Sequence, residues 1–183
     1  MSCGDAGAQR VRDPGEIAIA VVGSGSCGPD DARLAEEVGR RLAEVGALVV
    51  TGGLGGVMAA ACRGAREAGG TTVGLLPGET RAEANDWVGV ALPTGLGEGR
   101  NLLVVRAADA VIAIGGEYGT LSEIALALKG GRPVVGLGTW EVRRHGETGG
   151  DPGIWRADDP ASAVALAIEL ARPAAPGVRS ARP

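Results

Sequence analysis

Short runs of consecutive apolar residues alternate along the chain with longer segments in which apolar residues recur at helical spacing. The short runs are rich in Val, Ile and Leu, as is typical of strands that are buried on both faces of a sheet. Six of them predict strands, and each ends in glycine: residues 16–23, 47–53, 71–78, 87–95, 110–116 and 132–138.

The segments between and after these runs predict helices. They cover residues 29–46, 57–70, 98–109, 119–131 and 160–172. Either Asp159 or Ser162 is expected to cap the last helix. Strands that alternate with helices predict an α/β fold, in which an open, mostly parallel sheet of about six or seven strands carries helices on both faces. One domain is expected over residues 16–172, with disordered ends at 1–15 and 173–183.

Charge, cysteine content and histidine content exclude several classes of function. The net charge of −4 disfavours binding to nucleic acid. The three cysteines form no C-x-x-C pair and His145 is the only histidine, so no metal site is predicted. No apolar run approaches the roughly 18 residues of a membrane span, and residues 1–15 lack the apolar stretch of a signal peptide. A cytoplasmic protein without membrane contact is therefore expected.

Glycine-rich stretches follow the first, second and fifth predicted strands, at the sheet edge where ligands bind in such folds. In the first stretch, Gly23, Gly25 and Gly28 have the G-x-G-x-x-G spacing of a dinucleotide site. The acidic residue that such a site needs at the end of the second strand is absent, since Thr51 is found there. Gly23, Ser24 and Gly25 therefore predict contact with a single phosphate, and the alternative is a tight turn of small residues.

The second glycine-rich stretch immediately precedes a predicted helix. Gly52, Gly53, Gly55 and Gly56 would let the backbone approach a ligand closely, and the unpaired N–H groups of a helix start suit a phosphate. A phosphate-binding loop is predicted here. The alternative is a sharp turn between a closely packed strand and helix.

The third stretch runs from Gly115 and Gly116 to Gly119, Thr120 and Glu123. Thr120 and Glu123 have the spacing of a capping box, in which two side chains bond to backbone N–H groups at a helix start. That interpretation requires no ligand. The alternative is that Glu123 is a carboxylate facing a bound ligand.

Arg100 is predicted near the start of the preceding helix, because glycines delay that helix to about Glu98. Its long side chain either extends over the sheet edge towards a ligand or is an exposed surface charge. The sequence of this segment leaves both alternatives open.

Three stretches, TGGLGGVMAAACRGAREAGG, PTGLGEGRN and GGEYGTLSEIALAL, together resemble the superfamily of the Lonely guy (LOG) cytokinin-activating phosphoribohydrolases over about residues 17–137. This superfamily also includes the molybdenum-cofactor carrier proteins and is distantly similar to DprA. Ile114 replaces the proline of the LOG pattern and Asn101 replaces a lysine, and these departures are closer to the carrier-like branch. The pattern, P-G-G-x-G-T-x-x-E with an upstream Arg-Lys pair, is matched by Arg100, Gly115, Gly116, Gly119, Thr120 and Glu123.

The resemblance implies a Rossmann-like nucleotide- or phosphate-binding domain that forms a homo-oligomer, either a dimer or a tetramer. The backbone at Gly119 and Thr120 would hold the phosphate of a small ligand, and Tyr118 or Trp87 would stack on its ring. The same predicted site includes Asn101, Gly115 and Gly116.

Two functions follow from the resemblance. In the first, the protein hydrolyses the N-glycosidic bond of a nucleoside 5′-monophosphate, with Glu123 attacking or stabilising the sugar C1′ and Arg100 orienting the ligand. A helix start and Arg100 are expected to keep Glu123 ionised, as a nucleophile requires. In the second, the protein is a non-catalytic carrier of the molybdenum cofactor. No cofactor is required for catalysis, and the bound ligand is a nucleotide monophosphate or a molybdopterin-type compound.

Overall fold

The computed structural model describes residues 17–143, 145–146 and 148–172. The ends that are predicted to be disordered, residues 1–15 and 173–183, lie outside the described residues. Two 3-10 turns cover Arg81–Glu83 and Gly97–Arg100. Strands and helices alternate in the order β1 (Ala18–Gly23), α1 (Pro29–Glu44), β2 (Leu48–Thr51), α2 (Gly56–Glu67), β3 (Thr72–Leu76), β4 (Val90–Pro93), α3 (Asn101–Arg106), β5 (Ala110–Ile114), α4 (Tyr118–Lys129), β6 (Val134–Leu137), β7 (Ile154–Arg156) and α5 (Pro160–Ala171).

The strands of this part of the chain form one parallel sheet in the order β4-β3-β2-β1-β5-β6-β7. The predicted α/β fold is confirmed, and all six predicted strands are present. β7 pairs with β6 and lies in a stretch where no strand was predicted. With only three residues, of which two are exposed, β7 has no apolar run to distinguish it from a loop.

The order of the strands places a switch point at the centre of the sheet. From β1 the chain extends the sheet outward to β4 on one side, and it then crosses back to β5 on the other side of β1. In the register of this pair, Gly23 at the end of β1 lies beside Ile114 at the end of β5. A crevice between diverging loops is expected beyond these carboxyl ends.

Apolar layers cover both faces of the sheet, as predicted. Successive residues of β1 point to opposite faces. Ile19 packs in the layer with Val38 of α1, and Ala20 packs in the layer with Val104 of α3 and Ile124 of α4. The core therefore fixes α3 and α4 on one face, and their starts lie at the carboxyl edge of the sheet.

The start of α5 is capped as predicted. Asp159 Oδ1 accepts hydrogen bonds from the N–H groups of Ala161 at 2.8 Å and Ser162 at 3.0 Å. In return, Ser162 Oγ accepts a hydrogen bond from the N–H of Asp159 at 3.3 Å. Asp159 and Ser162 thus form a capping box.

The helix predicted over residues 98–109 is shorter in the structure. The 3-10 turn Gly97–Arg100 continues directly into α3 at Asn101. Gly97 has a φ of +53°, outside the α-helical range, and the α-helix begins only at Asn101. Within the described residues, no helix has both the length and the apolar character needed to cross a lipid bilayer.

Candidate functional site

A cavity of about 760 Å³ opens at the carboxyl edge of the sheet, where the loop after β1 faces the start of α4. A volume of this size suits a ligand of the size of a nucleotide or a small cofactor. The loop after β2 and the 3-10 turn before α3 complete its walls. The predicted site residues that line the cavity are Gly23, Ser24, Gly25, Arg100, Asn101, Tyr118, Gly119, Thr120 and Glu123.

The first turn of α4 presents unpaired backbone N–H groups to the cavity. Glu117 is the N-cap residue, and its side chain makes no cap hydrogen bond. The N–H of Leu121 donates to the carbonyl of Glu117 at 3.0 Å and begins the helical hydrogen bonding. The N–H groups of Tyr118, Gly119 and Thr120 have no partner within the helix. This arrangement suits an anionic group in the cavity.

The capping box predicted at Thr120 and Glu123 is wrong. Because α4 already begins at Tyr118, Thr120 lies inside its first turn and Glu123 in its second. Both side chains are buried, with 2 % and 6 % of their surfaces exposed. Capping therefore does not explain Glu123, and the prediction that it faces a ligand remains.

Arg100 and Glu123 form a buried ion pair in the cavity wall. Nη1 of Arg100 lies 3.6 Å from Oε1 of Glu123. The interpretation of Arg100 as an exposed surface charge is wrong, since only 7 % of it is exposed. The starts of α3 and α4 lie at the same edge of the sheet, and the 3-10 turn before α3 directs the Arg100 side chain inward.

Burial raises the pKa of Glu123 to about 7, although the neighbouring Arg100 lowers it. The prediction that a helix start and an arginine keep this carboxyl group ionised is therefore wrong. Desolvation outweighs the arginine, and Glu123 lies beyond the first turn of α4, where the helix dipole is weak. Burial also lowers the pKa of Arg100. Near neutral pH, Glu123 is divided between its protonated and ionised forms.

Asn101 connects Arg100 to the first turns of α4. Its Oδ1 accepts a hydrogen bond from Nη1 of Arg100 at 2.9 Å, and its Nδ2 donates to Oγ of Ser122 at 3.1 Å. Ser122 Oγ in turn donates to the carbonyl of Gly119 at 2.7 Å. At this position a neutral amide holds the arginine, where the LOG pattern has a second cation.

The loop after β1 packs against the start of α2. The N–H of Val57 donates to the carbonyl of Ser24 at 3.0 Å. A Cβ on Gly23 would lie 2.6 Å from Cγ1 of Val57 and 2.7 Å from the carbonyl oxygen of Ile114, so only glycine fits there. Gly23 therefore serves close packing in addition to lining the cavity, and Ser24 and Gly25 also line the cavity.

The second glycine-rich stretch lies behind the cavity wall. None of its four predicted glycines lines the cavity, which this stretch reaches only through Leu54. Gly53 has a φ of +75°, and a Cβ there would lie 2.5 Å from Cδ2 of Leu76. Gly55 and Gly56 contact the loop after β1, where a Cβ on Gly55 would lie 2.9 Å from the carbonyl oxygen of Gly25. Gly52 contacts the guanidinium group of Arg100.

Gly115 and Gly116 turn the chain from β5 into α4 and do not line the cavity. Their φ angles are +51° and +100°, in the region that favours glycine. The N–H of Gly115 donates to the carbonyl of Leu137 at 3.3 Å, at the end of β6. A Cβ on Gly116 would lie 2.5 Å from Cβ of Thr120. These two glycines therefore set where α4 begins.

Tyr118 lies at the mouth of the cavity with 80 % of its surface exposed. Its ring centroid is 5.6 Å from that of Trp140, at an interplanar angle of 41°. Nε1 of Trp140 donates to the carbonyl of Glu117 at 3.2 Å. Tyr118 is therefore placed where a ligand ring could stack on it, whereas Trp87 does not line the cavity.

Several cavity residues were not predicted from the sequence. Ser122 and Leu126 follow Tyr118 at intervals of four residues, so they lie on the same face of α4 as Tyr118. The helical period of this segment could have predicted them. Leu54, Met58 and Pro77 come from other segments, and only the fold brings them to the cavity.

No cluster of three or more His, Cys, Asp or Glu side chains suited to a metal ion occurs in residues 17–143, 145–146 and 148–172.

Comparison with family models identifies the chain. The model of the SLOG cluster4 family matches residues 16–164, which include every strand and the first turn of α5. The chain belongs to the SLOG cluster4 family. This SLOG protein is also 44 % identical to an uncharacterized protein of Archaeoglobus fulgidus over 119 residues, which cover 65 % of this chain and 78 % of that relative.

Two solved structures resemble this SLOG protein over nearly their whole length. The molybdenum cofactor binding protein of Rippkaea orientalis is 34 % identical with a TM-score of 0.77, over 86 % of this chain and 99 % of that one. The molybdenum cofactor carrier protein of Chlamydomonas reinhardtii is 34 % identical with a TM-score of 0.71, over 85 % and 98 % of the two chains. DprA of Helicobacter pylori shares the fold at 20 % identity and a TM-score of 0.61.

The SLOG sequence departs from the LOG pattern in one further way. Two residues, Glu117 and Tyr118, lie between Gly116 and Gly119, where the pattern has one. Gly119, Thr120 and Glu123 keep the spacing of the pattern among themselves. The additional residue lies where β5 is joined to α4, in a segment that lines the cavity.

Proposed function

We propose that this protein binds a phosphorylated pterin of the molybdenum-cofactor type in the cavity and carries it without changing it. The observation that carries the proposal is the cavity itself, which joins an uncapped helix start to a buried polar pair. The two relatives that are 34 % identical over nearly their whole chains are named for binding and carrying this cofactor. The names of these two relatives indicate the class of ligand, and the cavity has the polar groups that such a ligand requires.

Backbone groups are expected to bind the phosphate of this ligand. Within the described part of the chain, the charged residues that line the cavity are Arg100, Glu98, Glu117 and Glu123. Arg100 is already paired with Glu123, so side chains supply little net positive charge. The free N–H groups in the first turn of α4, at Gly119 and its neighbours, are donors that suit an anion.

The raised pKa of Glu123 fits a role in hydrogen bonding to a ligand. A carboxyl group with a pKa of about 7 is only partly ionised at neutral pH, so a large share of the molecules lack the nucleophile. A group of this kind both donates and accepts hydrogen bonds, as the edge of a pterin ring requires. Glu123 and Arg100 are thus suited to holding a polar ring.

We expect the full chain to retain pterin when it is purified from a host that makes the molybdenum cofactor. Acid oxidation of the protein should release a fluorescent pterin, and protein from a host that cannot make the cofactor should release none. Gly119→Ala places a methyl group where the phosphate approaches the backbone, in a space with no neighbour within 4 Å, and should lower the retained pterin about tenfold.

Gly28→Ala is the matched control. Gly28 also has no neighbour within 4 Å of an added Cβ, and it does not line the cavity, so its pterin content should equal that of wild type. Wild-type protein that neither retains pterin nor slows the decay of added cofactor would contradict the proposal. An equal loss of retained pterin in Gly119→Ala and Gly28→Ala would show that the cavity is not the binding site.

A second candidate function is the hydrolysis of a nucleoside 5′-monophosphate to free base and ribose 5-phosphate. It is favoured by the retention of Arg100 and Glu123 as a buried pair 3.6 Å apart. With a pKa of about 7, Glu123 would act here as the general acid that protonates the departing base. Water would then attack the sugar C1′.

If this activity exists, incubation of the protein with a panel of nucleoside monophosphates should release free base, detected by chromatography. Glu123→Gln should abolish the release, because the amide has no proton to transfer at this pH and retains the shape of the side chain. The rate should fall above about pH 7, as the carboxyl group loses its proton. An absence of release, or undiminished release by Glu123→Gln, would exclude hydrolysis.

A further inference from the structure

Gly52, which directly follows β2, packs against Arg100 although it does not line the cavity. A Cβ on this residue would lie 2.6 Å from Cζ and 2.6 Å from Nη2 of Arg100. These separations are far inside van der Waals contact. The guanidinium group therefore occupies the space that any side chain at position 52 would take.

The guanidinium group is also held by Asn101. Nη1 of Arg100 donates to Oδ1 of Asn101 at 2.9 Å, and it is also the atom that lies 3.6 Å from Glu123. Asn101 cannot rotate freely, because its own Nδ2 is bound to Ser122 at 3.1 Å. The rotation of the guanidinium plane is thereby tied to α4.

Not every polar atom of Arg100 has a partner among the described residues. Its Nε is buried and has no hydrogen-bond partner. Glu123 forms an ion pair with it, and the other two acidic residues that line the cavity within the described part of the chain, Glu98 and Glu117, are exposed. Backbone contact at Gly52 and the amide of Asn101 are thus two contacts that restrict where the guanidinium charge lies.

We propose that Gly52 and Asn101 are positioning residues that hold the Arg100 guanidinium group beside Glu123 at the ligand cavity. The bare backbone of Gly52 provides the space, and Asn101 fixes the orientation. The loop after β2 thus acts on the ligand through Arg100, in place of the direct phosphate contact predicted for Gly52. The inference deepens the proposed function, on which it rests for the identity of the ligand alone.

The substitution Gly52→Ala tests this directly. The atoms that the new methyl group meets are the end of a flexible side chain, so the fold should tolerate it while the guanidinium group moves away. Because Arg100 lowers the pKa of Glu123, its displacement should raise that pKa by about one unit. The measurement is an NMR titration of the labelled glutamate carboxyl groups in protein without ligand, together with a thermal melt.

Asn101→Leu is the second variant, because it removes the acceptor at nearly the same size, and it should raise the pKa of Glu123 in the same direction. Arg100→Met sets the upper limit of the change. Adding Gly52→Ala to Arg100→Met should produce no further increase, since the two changes act through one group. Gly28→Ala should leave the titration of Glu123 unaltered.

An unchanged pKa of Glu123 in both Gly52→Ala and Asn101→Leu would overturn the inference. So would an additive effect of Gly52→Ala in the Arg100→Met background, because that would indicate a general disturbance of the fold. In pterin-loaded protein, Gly52→Ala should also lower retention about tenfold at an unchanged melting temperature. Since the titration needs no ligand, its outcome is independent of whether the protein carries a pterin.

Discussion

Replacing Gly64 by alanine should destabilise the protein by about 3 kcal/mol, because it forces apart two closely packed helices. A Cβ on Gly64 of α2 would overlap the carbonyl oxygen of Glu36 in α1 and lie 2.7 Å from its carbonyl carbon. The neighbour is backbone, so it cannot rotate away. The loss should appear as a lower midpoint in urea unfolding and a melting temperature reduced by about 5–10 °C.

Gly119→Ala is the matched control for this prediction. It is the same chemical change in another helix, α4, but the added Cβ meets no atom within 4 Å. Alanine is a better helix former than glycine, so this variant should be stabilised by about 0.5–1 kcal/mol. Equal stability of the two variants would contradict the packing of α1 on α2. Gly39→Ala should behave like Gly64→Ala, since a Cβ there would lie 2.8 Å from the carbonyl carbon of Ala61.

The unfolding free energy of Glu123→Gln should increase relative to that of wild type by about 3 kcal/mol as the pH rises from 4.5 to about 8. The raised pKa of Glu123, about 7 against 4.5 for the free side chain, is the cause. Between these values the folded protein keeps a proton that the unfolded chain has lost. The protonated carboxyl group therefore stabilises the wild-type protein at low pH, and this contribution is lost as the pH rises through about 7. Glutamine does not titrate, so the variant has no such loss.

Urea unfolding of both proteins across this pH range provides the measurement. Loss of the partner of Arg100 in Glu123→Gln should add an offset that is nearly the same at each pH, so the change in the difference reports on Glu123 alone. Asp159→Asn is a useful contrast. Hydrogen bonds from Ser162 and Ala161 lower the pKa of Asp159. The unfolding free energy of Asp159→Asn relative to wild type should therefore decrease as the pH rises, and this change should occur at acid pH. A difference between Glu123→Gln and wild type that is constant with pH would mean that Glu123 has an ordinary pKa.

Local patterns were sufficient where each residue acts within its own segment. The six longer strands, the layered α/β fold and the cap at Asp159 followed from apolar runs and from the preferences of helix starts. The capping box at Thr120 failed because the sequence shows the spacing of two residues but not where the helix begins. That start is set by Gly115 and Gly116, whose turn depends on the neighbouring end of β6.

The sequence by itself determined the architecture and the chemical types at the site, because burial of apolar runs and glycine turns are properties of short segments. It also supplied Arg100 and Glu123. Only the tertiary structure decided that these two side chains are buried together and that burial raises the pKa of Glu123 to about 7. It likewise decided that Gly52 contacts Arg100 while the first turn of α4 faces the cavity. Desolvation and close contact depend on segments distant in the chain, and no local pattern records them.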